Sequence, residues 1–218
     1  MILVVGGVKG GSGKTTIATN LAVLRSRENK VLLIDADEQR SAASFANQRE
    51  ALNIPTDWTT IQLAGDSIHS QIMKLEPHYD DIIIDAGGRD TRSQRSAVAV
   101  ADIYLVPFKP RSFDVWTLGD VKTIIREMSI VNPKLKCYSF INQADPSGND
   151  NEDTFSILKD CTEMESLNIS IGNRKTFGNC SSEGLGVIEA RKIDSKAFQE
   201  INSLYKQLYC YSTEMVLN

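Results

Sequence analysis

Short runs of consecutive apolar residues alternate along the chain with stretches whose apolar positions recur every three or four residues. Residues 2–5, 31–34, 82–84 and 103–106 are rich in Val, Ile and Leu, C-Y-S-F-I at 137–141 is largely apolar and aromatic, and weaker runs fall at 61–63 and 169–171. Runs of this length and composition read as strands, the fully apolar ones buried on both faces. Between them the spacing predicts helices over 17–24, 41–52, 66–75, 93–101, 113–131, 151–164 and 195–209, with Ser41 as a candidate cap. Strand and helix signals in regular alternation predict an α/β domain: a doubly wound, mostly parallel sheet covered by helices on both faces. Residues 1–211 are expected to form that single domain, with 212–218 a flexible tail.

In such a sheet, ligands sit at the carboxyl ends of the strands. Gly6, Asp35, Asp85, Pro107 and Asn142 all fall at those ends. The first is followed by V-K-G-G-S-G-K-T-T, residues 8–16, between a strand and a helix. That is the context in which a phosphate-binding loop is credible. Gly10, Gly11 and Gly13 let the backbone bend and approach phosphate, so that successive N–H groups, Ser12 among them, point inward at a helix N-terminus. Lys14 would reach the β- and γ-phosphates, the Thr15 hydroxyl would coordinate Mg²⁺, and Thr16 is counted among the nucleotide-binding residues. The standard pattern places its first glycine where this chain has Val8, and a second lysine, Lys9, stands five residues before Lys14.

Two further strand ends carry carboxylates. The segment D-A-D-E-Q sets Asp35 and Asp37 on one face of extended backbone, since side chains alternate. The run D-I-I-I-D-A-G-G closes an apolar strand with Asp85, the placement of a Walker B carboxylate that holds Mg²⁺. Gly87 and Gly88 would let backbone approach a γ-phosphate and sense its loss. Arg89, Arg92 and Arg95 follow, as a basic surface, a contact between subunits or partners of Asp90.

The form K-G-G-x-G-K-T-T resembles the deviant Walker A motif of the ParA/MinD family of ATPases. The D-x-D-x-Q segment, the D-A-G-G strand end, the V-P-F-K-P segment followed by Arg111, Ser112 and Asp114, and the C-terminal helix occur in that family's order and cover nearly the whole chain. The chain departs from the pattern at Val8, at Glu38 and in the A-G-G after Asp85; none of these removes a group the chemistry needs. The resemblance implies a P-loop ATPase that uses ATP and Mg²⁺. It implies that Lys9 reaches across a homodimer to the partner's nucleotide, that Asp37 activates the attacking water, and that Asp35 supports the Mg²⁺ shell. It implies that Asn142 hydrogen-bonds adenine. Basic residues in the C-terminal third, Arg174, Lys175, Arg191, Lys192 and Lys196, correspond loosely to a region through which relatives bind DNA without sequence preference.

With no DNA-binding extension before the P-loop, the likeness is to short, ParF-like partition proteins. The function it implies is partition of a plasmid or chromosome with a ParB-like or other centromere-binding protein. Positioning of another cargo is the alternative with the same chemistry. A MinD-like membrane role would need a basic amphipathic C-terminus, and Y-C-Y-S-T-E-M-V-L-N has no basic residue.

Composition sets the remaining bounds. The 218 residues are 41% hydrophobic and 24% charged, enough for one sizeable core. A formal charge of −4 gives no global field toward nucleic acid, so DNA binding has to come from a local basic patch. Cys137, Cys161, Cys180 and Cys210 form no C-x-x-C pair, which excludes a zinc or redox motif of that kind and any paired-cysteine cluster site after D-A-G-G. The expected setting is cytoplasmic and nucleoid-associated, without a membrane.

Overall fold

The computed structural model describes residues 1–89, 91–110 and 115–210. The tail expected at 212–218 lies outside them, as do Asp90, Arg111, Ser112 and Asp114. Strands β1 (Ile2–Val5), β2 (Val31–Ala36), β3 (Trp58–Gln62), β4 (Asp81–Ala86), β5 (Ile103–Phe108), β6 (Lys136–Ala144) and β7 (Glu165–Gly172) form one sheet. Its order is β3-β2-β4-β1-β5-β6-β7, and every pairing is parallel. The helices are α1 (Lys14–Arg25), α2 (Ser41–Ala51), α3 (Ser67–Leu75), α4 (Arg92–Val98), α5 (Val115–Val131), α6 (Asp150–Lys159), α7 (Lys175–Ser182) and α8 (Ser195–Tyr209).

The apolar runs become buried strands because each of their faces meets a helical layer. Leu3, Val5, Leu33 and Ile83 pack toward one core with Ile17 and Leu21 of α1, Phe45 of α2, Phe177 of α7 and Ile201 and Leu204 of α8. Val4, Ile34, Ile82 and Ile84 pack toward the other with Ile72 of α3, Ala97 of α4, Ile124 of α5 and Leu158 of α6. Successive residues of one strand thus serve opposite cores, and the doubly wound architecture expected from the alternation is the one observed.

The differences from the sequence pattern are local. β3 begins three residues early, at Trp58, because Thr59 and Thr60 pair with Leu32 and Leu33 on a half-exposed sheet edge despite their polarity. α6 stops at Lys159 rather than running to 164. Cys161 and Met164 turn under the sheet there, while Glu163 pairs with Lys122 and Arg126 of α5. α7 and a 3₁₀ turn at Val187–Glu189 have no counterpart in the apolar pattern. Among the described residues no helix is long and apolar enough to cross a membrane.

Candidate nucleotide site

β1 delivers the chain into the loop before α1, and α1 starts at Lys14 behind Gly13. Gly13 has φ 84°, a left-handed conformation, and a Cβ there would lie 2.3 Å from Asn142 Nδ2. Only glycine satisfies both demands. Lys14 is buried, and its Nζ donates to the Lys9 carbonyl at 2.8 Å. Burial lowers its pKa, with Asp85 and Asp37 pulling the other way.

Parallel pairing of β2 with β4 puts Asp35 beside Asp85. Their environments separate their roles. Asp35 accepts from Asp37 N at 3.1 Å and Ala43 N at 2.8 Å, so both its oxygens hold the turn that leads into α2. Asp85 is fully buried; its Oδ2 accepts from Thr15 Oγ1 at 2.6 Å, while Oδ1 has no hydrogen-bond partner among the described residues. Burial is the chief reason its pKa is pushed up to about 7. An orphaned buried carboxylate oxygen beside a hydroxyl is a costly arrangement for a bare protein. It fits a hard divalent cation, which takes oxygen ligands and would relieve that burial. Asp37 sits at the cleft edge, its Oδ1 accepting from Gln39 N at 3.0 Å and close to Gly87, where an added Cβ would come within 3.3 Å of it. Gly88 crosses the loop itself: a Cβ there would meet Gly10 N and Cα at 2.9 Å and Lys14 Nζ at 3.2 Å.

Asp37, Gly87 and Gly88 open onto a cleft of about 1050 Å³, and Asp35 and Asp85 lie buried behind it. Gly10, Gly11, Gly13, Lys14, Thr15, Thr16 and Asp37 line it, with Gly87 and Gly88 opposite. Lys9 and Ser12 line a smaller adjoining pocket with Val106, Pro107, Phe108 and Lys109. Asn142 is buried behind the loop, its Nδ2 donating to the Ser12 carbonyl at 2.7 Å. Of the basic residues singled out in the C-terminal third, Lys175, Arg191, Lys192 and Lys196 are exposed. Arg174 is engaged by Glu200 at 2.6 Å, which reduces the charge it can offer to a phosphate.

Several site residues carry no motif. Gln94 of α4 is fully buried and accepts from Gly7 N at 3.1 Å, tying α4 to the phosphate loop. Thr91 caps α4 by accepting from Gln94 N at 3.1 Å. Gln143 donates from Nε2 to the Gly11 carbonyl at 2.9 Å. The far wall of the cleft is made by Ser44, Phe45 and Gln48 of α2 and Ser181 and Ser182 of α7. Arg49 fixes α2 there. It is 1% exposed, pairs with Glu189 at 2.7 Å, donates to Gly184 O at 2.8 Å and to Pro55 O, and lies 4.7 Å from the Trp58 ring centroid. The T-x-x-Q spacing before an apolar run was the one available signal for Thr91 and Gln94.

A family model described as the CobQ/CobB/MinD/ParA nucleotide binding domain matches residues 3–207. The maintenance of carboxysome distribution protein A of Halothiobacillus neapolitanus is 26% identical over 211 residues, covering 94% of this chain and 95% of that protein. Protein ParA of Rhizobium radiobacter is 30% identical over 141 residues, 62% of this chain and 60% of that one. A Cyanothece McdA–ATP complex superposes with a TM-score of 0.79 at 17% identity, over 94% of this chain and 95% of that one, a likeness of fold.

Proposed function

The chain belongs to the CobQ/CobB/MinD/ParA family of nucleotide-binding domains, and from that premise we propose that it works as a ParA-type positioning ATPase whose ATP-bound form is a sandwich dimer on non-specific DNA. The family makes it an ATPase that uses ATP and Mg²⁺, of the kind that acts in positioning or partition. The observation that carries the site reading is that Lys14, Thr15 and Asp37 line one cleft, with Asp85 buried directly behind Thr15, so that three different strand ends meet there.

Each residue then has a defined task. The loop amides and the α1 N-terminus accept the phosphates, a ready-made anion site. Lys14 leaves the Lys9 carbonyl for the β- and γ-oxygens and stabilises the charge that develops there. Thr15 and Asp85 would hold Mg²⁺, which neutralises phosphate charge and orients the γ-phosphoryl for in-line attack. Asp37 positions the attacking water and takes up its proton. Asp35 keeps Asp37 in place through the two backbone amides it accepts. With Nδ2 committed to Ser12, Asn142 meets adenine through Oδ1, an acceptor suited to an exocyclic amino group. Lys9 crosses to the partner subunit's nucleotide, so closure of the dimer completes each site. Lys175, Arg191, Lys192 and Lys196 supply the salt-sensitive contacts to DNA phosphates.

The cargo is a plasmid or chromosomal locus bound by a ParB-like or other centromere-binding protein that stimulates hydrolysis. A protein-organelle cargo is the second reading, favoured by the near full-length match to a carboxysome distribution protein. Turnover of ATP by Lys14→Ala and Asp37→Ala tests the chemistry. Both are expected to fall by at least about a hundredfold, with ATP still bound by Asp37→Ala. Undiminished turnover in both contradicts the assignment. Gel shift on non-specific DNA with ATP, with ADP and without nucleotide tests the DNA arm, and retention only with ATP is expected.

A further inference from the structure

The end of β6 is irregular. Asn142 pairs with Ile171 and Ala144 with Gly172, so two steps of β6 oppose one of β7 and Gln143 is the extra residue of a bulge. Gln143 has φ 55°, left-handed backbone that a residue with a Cβ adopts only at an energetic cost. In a regular strand, neighbouring side chains point to opposite faces. Here the bulge sends two consecutive side chains the same way, and both are carboxamides. Asn142 Nδ2 donates to the Ser12 carbonyl at 2.7 Å, and Gln143 Nε2 donates to the Gly11 carbonyl at 2.9 Å. Bulges are known for re-aiming side chains beside active sites.

The consequence lies in the peptide planes. The Gly11 carbonyl shares its plane with the Ser12 N–H, and the Ser12 carbonyl shares its plane with the Gly13 N–H. In a trans peptide the carbonyl and the N–H point in opposite directions, and the described chain has no cis bond. Holding both carbonyls toward β6 therefore turns both N–H groups away from β6. Gly11 and Gly13, at φ 75° and 84°, permit that alternation, the geometry of an anion-binding nest. We infer that Asn142 and Gln143 are positioning residues, a carboxamide clamp from the β6 bulge that pre-orients the Ser12 and Gly13 amides for a polyphosphate. The inference rests on the nucleotide-site reading and deepens it. Two amides fixed before the ligand arrives cost no reorganisation when it binds, which is the source of their affinity. It adds loop shaping through Asn142 Nδ2 and Gln143 Nε2 to the base contact proposed for Asn142 Oδ1.

The test uses Gln143→Gly and Gln143→Glu. Glycine removes the donor and suits φ 55°, so the fold keeps or gains stability. Glutamate keeps the shape, loses the donor and adds a negative charge, so retained affinity in it weighs against the clamp more heavily than loss weighs for it. Isothermal titration measures MgATP, inorganic tripolyphosphate and adenosine against each, with thermal melting as the control. Both variants are expected to lose about five- to tenfold in affinity for ATP and tripolyphosphate alike, with adenosine affinity unaltered and no fall in melting temperature for Gln143→Gly. Unchanged polyphosphate affinity in Gln143→Gly overturns the clamp. So does a loss confined to ATP, which marks a base contact, or retention of affinity by Gln143→Glu, which marks a role in filling space. A wild-type chain that binds neither ATP nor tripolyphosphate sinks the nucleotide reading instead. The clamp is then judged on the ligand-free protein, where Gln143→Gly shifts the Ser12 and Gly13 amide resonances if it exists and leaves them in place if it does not.

Discussion

The two walls of the cleft are built on different principles. On one side, the loop before α1, Thr15, Asp85 and Gly87–Gly88 meet through the ends of adjacent parallel strands, β1, β4 and β2. This wall is made of backbone amides, glycines and short polar side chains. On the other, α2 and α7 face the loop with Ser44, Phe45, Gln48, Ser181 and Ser182, residues of no particular chemistry. That wall is held by one buried cation, Arg49, joined to Glu189 across 140 positions of sequence. Phosphate chemistry demands particular residues at particular spacings, whereas a wall demands only that something hold it in place.

Breaking each wall should therefore have opposite signatures. The largest effect on stability is expected from Arg49→Ala. It takes the ion-pair partner from Glu189, which keeps the Gly186 N–H and access to water, and empties a fully buried site, with a loss of up to roughly 3 kcal/mol, read by chemical denaturation. Nucleotide affinity should fall only as far as the fold does.

The phosphate side should behave in the contrary sense, because it is poorly satisfied as it stands. Asp85 is pushed up to about 7 and Asp35 is raised as well, both chiefly by burial. The folded chain thus holds these protons more tightly than the unfolded one. The contribution of these two groups to the stability of the ligand-free protein should be greatest near pH 4, decline as pH rises toward about 7, and level off above it. Asp85→Asn should flatten that slope and stabilise the ligand-free protein at neutral pH by up to an order of 3 kcal/mol, while abolishing the stabilisation that Mg²⁺ with ATP confers. Denaturation series at several pH values, with and without MgATP, check both halves.

The smallest effect sits where the two principles meet. Thr91 caps α4, whose Gln94 reaches Gly7. Thr91→Ala should cost about 1 kcal/mol, and a loss of ATP affinity beyond what that destabilisation explains would show that α4 supports the loop as well as the fold.

The same contrast explains what could be read in advance. The order of strands and helices was legible because buried parallel strands are apolar on both faces, as in I-I-I of β4. That Lys14, Thr15, Asp37 and Asp85 would come together was legible because they close or follow neighbouring strands of a parallel sheet, whose carboxyl ends lie side by side. α7 was not, since K-T-F-G-N-C-S-S buries only Phe177 and Cys180 and shows no sustained period. Nor was the reach of Arg49, because a long-range ion pair leaves no local pattern. The bulge at Gln143 was equally hidden: nothing in F-I-N-Q-A distinguishes a residue in the strand from one displaced by it. The Asn142 amide shows the limit from the other side, for its position at a strand end was apparent and its bond to Ser12 was not.

The most direct measurement is isothermal titration of the wild-type chain with MgATP and with MgAMP. A cleft that grips phosphates through loop amides, Lys14, Thr15 and Asp85 should bind ATP at least about a hundredfold more tightly than AMP. Equal affinities, or no binding of ATP in the presence of Mg²⁺, would contradict the account.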